Sequence, residues 1–282
     1  TLACALSLPW TTHAYNDQLL LAHVKQAPSL HFPMGTDALS RNLAARFLLG
    51  GAISLLIGIA SALIAIGIGA SVGLLAGYVG GRTDALLMRL VDVLYGLPYI
   101  LLVILMRVVL VGPLKLLLLH PDPAGHPRWL DPPAAATSAN ILILLIGIGA
   151  VSWLTMARVI RGQVLSLRDQ PFVEAARALG LPPHRILARH ILPNLLGTII
   201  VYGTLTIPNA ILAESFLSFL GLGIQQPLPS WGNLASDGID ALNPIYTRWW
   251  LITWPCLSLA ASLLALNFLG DGIRDALDPR RS

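Results

Sequence analysis

The chain has 282 residues, of which 55% are hydrophobic and only 11% charged, with a formal net charge of +4. One globular core has no use for so many apolar side chains, so the composition argues against an ordinary soluble domain and points to a chain that sits in lipid. The basic excess is small and spread along the chain, a poor basis for nucleic-acid binding, and Cys4 and Cys256, both in or near apolar stretches, imply no disulfide framework.

The opening stretch "TLACALSLPW" is apolar but too short to cross a membrane by itself, and it lacks the basic start of a signal peptide. It reads as the end of a first span, followed by a polar extracytoplasmic connector, so that residues 1 to 46 form one segment. Residues 47 to 81 carry no charge over 35 positions, whereas about 20 apolar helical residues suffice to cross the hydrocarbon layer. Within that span Gly69, Gly73 and Gly77 fall on one helix face and predict a close helix contact, in this chain or with a partner. Residues 93 to 114 predict the next span, interrupted by Arg107, read as snorkelling to the headgroups. The connector Gly112 to Ser138 includes Pro121, Pro123, Pro127, Pro132 and Pro133 and cannot be a regular helix throughout. Further spans are expected at 139 to 157, 195 to 222 and 249 to 270, with a loop over 223 to 248. The expectation is an all-α integral membrane protein with five complete spans and a partial first one. Its membrane domain runs over 47 to 275, and 276 to 282 form a tail.

Charge sets the orientation. With the segment 161 to 194 in the cytoplasm, 11 of the 18 Lys and Arg lie on that side and 7 on the other, which also puts the C-terminus inside. Catalytic motifs are missing. A phosphate loop needs Gly-Lys followed by Ser or Thr, but Lys25 follows Val24 and Lys115 follows Leu114. There is no H-E-x-x-H, no Cys/His cluster and no Gly-x-Ser-x-Gly elbow. The chain is therefore expected not to be an enzyme, and any uphill movement it supports takes its energy from elsewhere.

Two places carry the remaining functional signal. "PFVEAARALGLPPHRILARHILP", residues 171 to 193, predicts a cytoplasmic helix-turn-helix. Asp169 is expected to cap the first helix and Pro171 to open it; Phe172, Ala176 and Leu179 share one face, Glu174 and Arg177 another. Gly180 ends that helix in the left-handed conformation, and Pro182 and Pro183 start a second, with Ile186, Leu187 and Ile191 opposite Arg185 and Arg189. Such a unit passes movement between a cytosolic partner and the bundle; an arginine-bearing helix lying on anionic lipid fits the same pattern. The second place is Glu214, inside a span six residues after Pro208. It marks either a translocation path or a structural carboxyl that pins helix packing.

The stretch "EAARALG" followed by "RHILPN" resembles the EAA coupling loop in the membrane subunits of binding-protein-dependent ABC importers. "MGTDALSRN", "GLLAGYVGG", "LMRLVDVLYGLP", "AILAESFLSFLGLG", "PSWGNLASDG" and "LNFLGDGIRDALDPR" resemble, in order, the dipeptide, oligopeptide and nickel importer branch in its second permease subunit. The resemblance implies a six-helix ABC-importer transmembrane domain in a bacterial inner membrane. It further implies a heterodimer with a second permease, two ATP-binding subunits that use ATP and Mg, and an extracytoplasmic solute-binding protein. No cofactor is implied in this chain. By the same resemblance Glu174, Ala175, Ala176, Arg177 and Gly180 form the ATPase-coupling motif. The sequence departs from the pattern at His190, at the length of the Gly112 to Ser138 connector, and at Ser40 to Asn42, where "SRN" stands for the usual Gly-Arg-Asp. An ion-gradient transporter with Glu214 as its ion site is the alternative, and it leaves the EAA loop unexplained. A purely structural subunit is a third reading.

Overall fold

The computed structural model describes residues 2–18, 24–119, 132–242 and 248–277. In chain order the helices are α1 (Leu2–Leu6), α2 (Leu8–Ala14), α3 (Leu43–Val79), α4 (Gly81–Tyr95), α5 (Tyr99–Leu119), α6 (Pro132–Leu167), α7 (Pro171–Ala178), α8 (Pro183–Ile186), α9 (Leu192–Phe219), α10 (Trp231–Asp240) and α11 (Trp250–Leu277). Among the described residues four stretches, Leu43–Val79, Thr137–Leu167, Pro183–Phe219 and Trp250–Leu277, are long and apolar enough to cross a membrane. Helix is the form such sequences must take in lipid, where each N–H and C=O has to be satisfied within the segment.

Several expectations change. The span expected at 93 to 114 is broken: α4 and Tyr99–Leu114 meet at 93°, so a fifth crossing exists only if the bent pair is taken as one. The break falls at Gly96, Leu97 and Pro98, where Pro98 disfavours helix at the residue before it. The connector from Gly112 to Ser138 is helical at both ends, since α5 runs on through Pro113 to Leu119 and α6 starts at Pro132, where a missing N–H costs nothing. Its other prolines, Pro121, Pro123 and Pro127, lie outside the described residues. Arg107 stands in the middle of α5 and not at an end, half-buried, with its Nη1 enclosed and without a hydrogen-bond partner among the described residues. The loop expected over 223 to 248 contains α10, whose start is closed by a reciprocal cap between Ser230 and Asn233.

The helices group into two compact units, one of Thr1–Ile59, Ile104–Leu145 and Ile211–Ala265, the other of Ala60–Val103, Ile146–Ala210 and Leu266–Ser282. In the second, α3 and α6 meet along the glycine face. A Cβ at Gly69, Gly73 or Gly77 would stand 2.6, 2.6 and 2.7 Å from Met156 Cβ, Ala157 O and Val164 Cβ respectively. The close contact the spacing predicts is thus made within this chain.

In the first unit the core is Leu43, Phe47, Trp231, Leu234, Trp250 and Leu251. Beside it Asp37 ties the start of α3. Its Oδ1 accepts from the backbone N–H of Leu39 and of Arg41, and its Oδ2 accepts from Arg41 Nε at 2.7 Å and Arg46 Nη1 at 2.5 Å. Asn42 Oδ1 accepts from Ala44 N at 3.0 Å and caps α3.

Candidate functional site

The helical hairpin at 171 to 193 exists, with local chemistry that differs from expectation at three points. The N-cap of α7 is Gln170, in an extended conformation, and not Asp169. Pro171 at the first helical position explains why: its fixed φ starts the helix there, and the residue before a proline is pushed to extended backbone. The buried face of α7 is Val173 and Ala176, whereas Phe172 is 41% and Leu179 81% exposed. Three residues, one short helical turn, separate the pair that packs inward, so of the shared face Phe172, Ala176 and Leu179 only Ala176 is covered. Finally, α8 is a single turn that continues through a π turn, Leu187–Ile191, into α9. Leu192 N–H donates to Leu187 O, five residues back. Pro193 has no N–H to give and crowds the carbonyl four residues earlier, which the wider turn relieves.

The turn between α7 and α8 is a complete Schellman cap. Gly180 takes φ +74°, its N–H donates to Arg177 O at 2.9 Å, and Leu181 N–H donates to Ala176 O at 3.2 Å. A side chain at Gly180 would meet nothing within 4 Å, so the glycine is needed for its backbone and not for space.

Val173 and Ala176 join Ile186, Ile191, Leu195 and Ile199 in one buried cluster with Met156, Ile160 and Val164 of α6. The hairpin is therefore packed onto two long helices, and displacement of α7 is passed on by contacts that resist compression. Polar ties reinforce this. Arg168 Nη1 donates to Gly77 O at 3.0 Å, satisfying a carbonyl in the last turn of α3, and the Arg177 guanidinium lies 5.8 Å from the Tyr78 ring centre. Asp84 of α4 takes a two-point bond from Arg161 of α6, at 2.5 and 2.6 Å. Periodicity alone did not expose this pair, because its members are 77 residues apart.

What remains outward is Glu174, Ala175 and Arg177, with Phe172, Leu179 and Gly180 beside them. Two opposite charges ringed by exposed apolar groups form a face able to receive another protein. Ala176, grouped with these by sequence, is buried and acts in packing.

Glu214 is placed differently. It is wholly buried; its Oε1 accepts from Ser218 Oγ at 2.6 Å, its Oε2 from Ser215 Oγ at 3.3 Å, and Ser54 and Ser230 also bond to it. The hydroxyls are themselves engaged: Ser218 Oγ accepts from Ile224 N at 2.9 Å and Ser230 Oγ from Asn233 N at 3.3 Å. A carboxyl saturated in this way fastens α3, α9 and the start of α10.

These features describe a helical membrane protein with a packed hairpin whose outer face is exposed, and comparison with known proteins places it in a family. The model for "Binding-protein-dependent transport system inner membrane component" matches residues 69–282. The chain belongs to this family and is a multi-pass permease subunit of such a transport system. It is 42% identical over 275 residues to the oligopeptide transport system permease protein OppC of Haemophilus influenzae, covering 96% of this chain and 78% of that one. Against the dipeptide transport system permease protein DppC of Bacillus subtilis the figure is 41% over 253 residues, 90% of this chain and 70% of the relative. Among solved structures, an inward-facing form of the MetNI methionine ABC transporter matches 84% of this chain and 98% of its own at TM-score 0.59 and 18% identity, a likeness of fold. The ion-gradient alternative finds no support in these relationships, and no cavity is needed to explain the hydroxyls around Glu214.

Proposed function

We propose that this subunit forms half of the path by which an ATP-driven importer moves short peptides, or a related small solute, across a bacterial inner membrane. The names of the relatives support peptides as the cargo class. In this reading the hairpin and the C-terminus face the cytoplasm, a second permease completes the path, and a binding protein delivers cargo from outside. Two ATP-binding subunits supply the energy with ATP and Mg; one of them seats on the hairpin. Glu174 and Arg177 pair with charges in the ATPase cleft, Ala175 allows close approach, and Gly180 and buried Ala176 hold the shape that is docked.

The observation that carries this reading is the division of α7 into an inward Val173 and Ala176 and an outward Glu174 and Arg177 beside exposed Phe172 and Leu179. A helix that only rested on lipid would have no use for a carboxylate in that face. The test is uptake of a labelled tripeptide into vesicles containing the complete transporter. ATP should be required, uptake should survive an ionophore at constant ATP, and Glu174→Lys should release the ATPase subunits on purification. Normal ATPase retention and uptake in Glu174→Lys would overturn the coupling role.

A further inference from the structure

Within the unit that carries the hairpin lies a cavity of about 610 Å³, in the range of sites that hold small molecules. Its walls come from the α4–α5 elbow, the middle of α6 and the centre of α9. Leu94, Leu97, Val151, Leu154 and Leu205 supply apolar surface. The polar groups are hydroxyls and an amide: Tyr95 and Tyr99, Ser152 and Thr155 of α6, then Tyr202, Thr206 and Asn209 on successive turns of α9. No Asp, Glu, Lys, Arg or His is among the described lining residues.

The hydrogen bonds give this wall a sense. Thr206 Oγ1 donates to Tyr202 O at 2.7 Å, and Asn209 Nδ2 donates to Leu205 O at 3.1 Å. Each spends a proton on its own helix; the Thr206 oxygen and Asn209 Oδ1 remain as neutral acceptors, and Asn209 Nδ2 keeps one further N–H. Ser152 donates to Ile148 O at 2.8 Å and also bonds the Tyr99 phenol. A charge beside this wall is Arg158, whose guanidinium covers the Tyr95 ring at 4.2 Å and is paired with Asp92 at 2.7 Å. A backbone amide meeting such a wall finds acceptors for its N–H groups, and a charged side chain finds neither attraction nor repulsion.

We propose that this cavity is the surface along which the subunit passes its peptide, engaging the backbone through neutral oxygen acceptors and not reading side-chain charge. The inference rests on the reading of the chain as a peptide permease and assigns its cargo-contacting residues, Tyr202, Thr206 and Asn209 foremost. It also implies that charge selectivity is absent from the wall and is created by one added charge.

The test uses the complete transporter in vesicles, with ATP inside and loaded binding protein saturating, and compares uptake of Ala-Lys-Ala with that of Ala-Glu-Ala. Relative to wild type, Asn209→Asp should raise the Lys-to-Glu ratio by about tenfold and Thr206→Lys should lower it by a similar factor. A ratio within about twofold of wild type in both, with ATPase stimulation retained, overturns the proposal. If neither variant assembles, Asn209→Cys, with Cys4 and Cys256 changed to Ala, provides the second measurement. A water-soluble thiol reagent should label it, and turnover of Ala-Ala-Ala should protect it. Labelling only by a lipid-soluble reagent, unaffected by peptide, places the cavity against lipid and overturns the proposal. A wild-type transporter that moves no peptide with ATP overturns the functional reading itself. Peptide uptake with an unmoved ratio removes the cavity assignment alone.

Discussion

Glu174 and Glu214 are both carboxylates in an apolar chain, and the fold treats them oppositely. Glu214 is closed into a shell of four serines and has no exposed surface, while Glu174 stands on the outer face of α7 with exposed Phe172 and Leu179 beside it. A polar group satisfied inside its own chain is spent on structure; one left at the surface beside apolar side chains is available to another protein. The difference sorts the two candidate sites by where their hydrogen bonds go, which no distance along the sequence records.

The sharpest way to break the comparison is to disturb the outward face while leaving the inward one intact. Glu174→Lys should lower ATP-dependent uptake by about tenfold or more, with a normal amount of protein in the membrane, because the substitution reverses a charge in the face proposed to dock without touching the packed one. Gly180→Val should do likewise: the φ of +74° is strained for a β-branched residue, and the Schellman turn that aims α8 would be lost. Uptake and membrane level measured side by side check both. A fall in level matching the fall in uptake would make the outer face structural too.

The reverse experiment belongs to Glu214. Glu214→Leu leaves the hydroxyls of Ser54, Ser215, Ser218 and Ser230 without their shared acceptor and should cost about 2–4 kcal/mol of stability. Glu214→Gln keeps an acceptor and should cost about 1 kcal/mol. Thermal unfolding of the purified transporter in detergent reads the difference. Equal melting of both variants with loss of uptake only would move Glu214 from structure to the path.

Legibility followed the same division. The long spans, the hairpin, the left-handed Gly180 and the close glycine face were open to sequence reasoning because each depends on local composition or on one helix's period. The break at Gly96 to Pro98 was hidden inside a continuous apolar run, since hydropathy counts residues and not backbone direction. Which side of α7 packs inward is not set by its period: of the shared face Phe172, Ala176 and Leu179 only Ala176 is buried, joined by Val173, and these small residues are what α6 and α9 leave room for. Ser215 and Ser218 lie one and four residues from Glu214 and fall within helix spacing, but Ser54 and Ser230 of the shell and the Asp84–Arg161 pair join residues far apart in the chain, and single-sequence patterns hold no record of such contacts.

A smaller effect tests whether a polar cluster outside the membrane helices obeys the rule drawn from Glu214. Burial alone raises the Asp37 carboxyl, but the Arg41 backbone N–H and the guanidinium charges of Arg46 and Arg41 outweigh it and hold the group below its usual range. A depressed carboxyl contributes stability that is present above its unfolded value, about 3.9, and is lost as pH falls through the lower folded value. Neighbouring Asp237 runs the other way, since burial raises it despite Arg46 and Arg41; its contribution is present at low pH and lost as pH rises through its folded value. Melting temperature should therefore drop on acidification below about pH 4 in wild type. Asp37→Asn should melt lower at neutral pH and lose that acid-side drop. An unchanged acid limb in Asp37→Asn would show that the cluster is held by something other than this carboxylate.

The smallest expected effect concerns the residue next to that cluster, where the sequence departs from the usual Gly-Arg-Asp. Ser40 has φ +58°, one of two non-glycine positions with positive φ among the described residues, and its Oγ is buried without a hydrogen-bond partner there. The chain is thus bent into a conformation that glycine adopts freely, by a residue whose hydroxyl gains nothing from the site. The bend itself is required: Ser40 N–H donates to Asp37 O at 3.3 Å, and the turn delivers Arg41 Nε to the Asp37 carboxylate. Two terms favour Ser40→Gly, release of the left-handed strain and removal of an unsatisfied hydroxyl; one opposes it, the greater freedom of glycine in the unfolded chain. The balance should be a gain of about 1 kcal/mol. Ser40→Val should lose more than that, because branching at Cβ makes positive φ an outlier. Both are read as shifts in melting temperature with uptake unchanged. A Ser40→Gly variant that melts below wild type would mean that the serine hydroxyl is engaged after all, and that buried polar groups in this segment follow the satisfied pattern of Glu214 throughout.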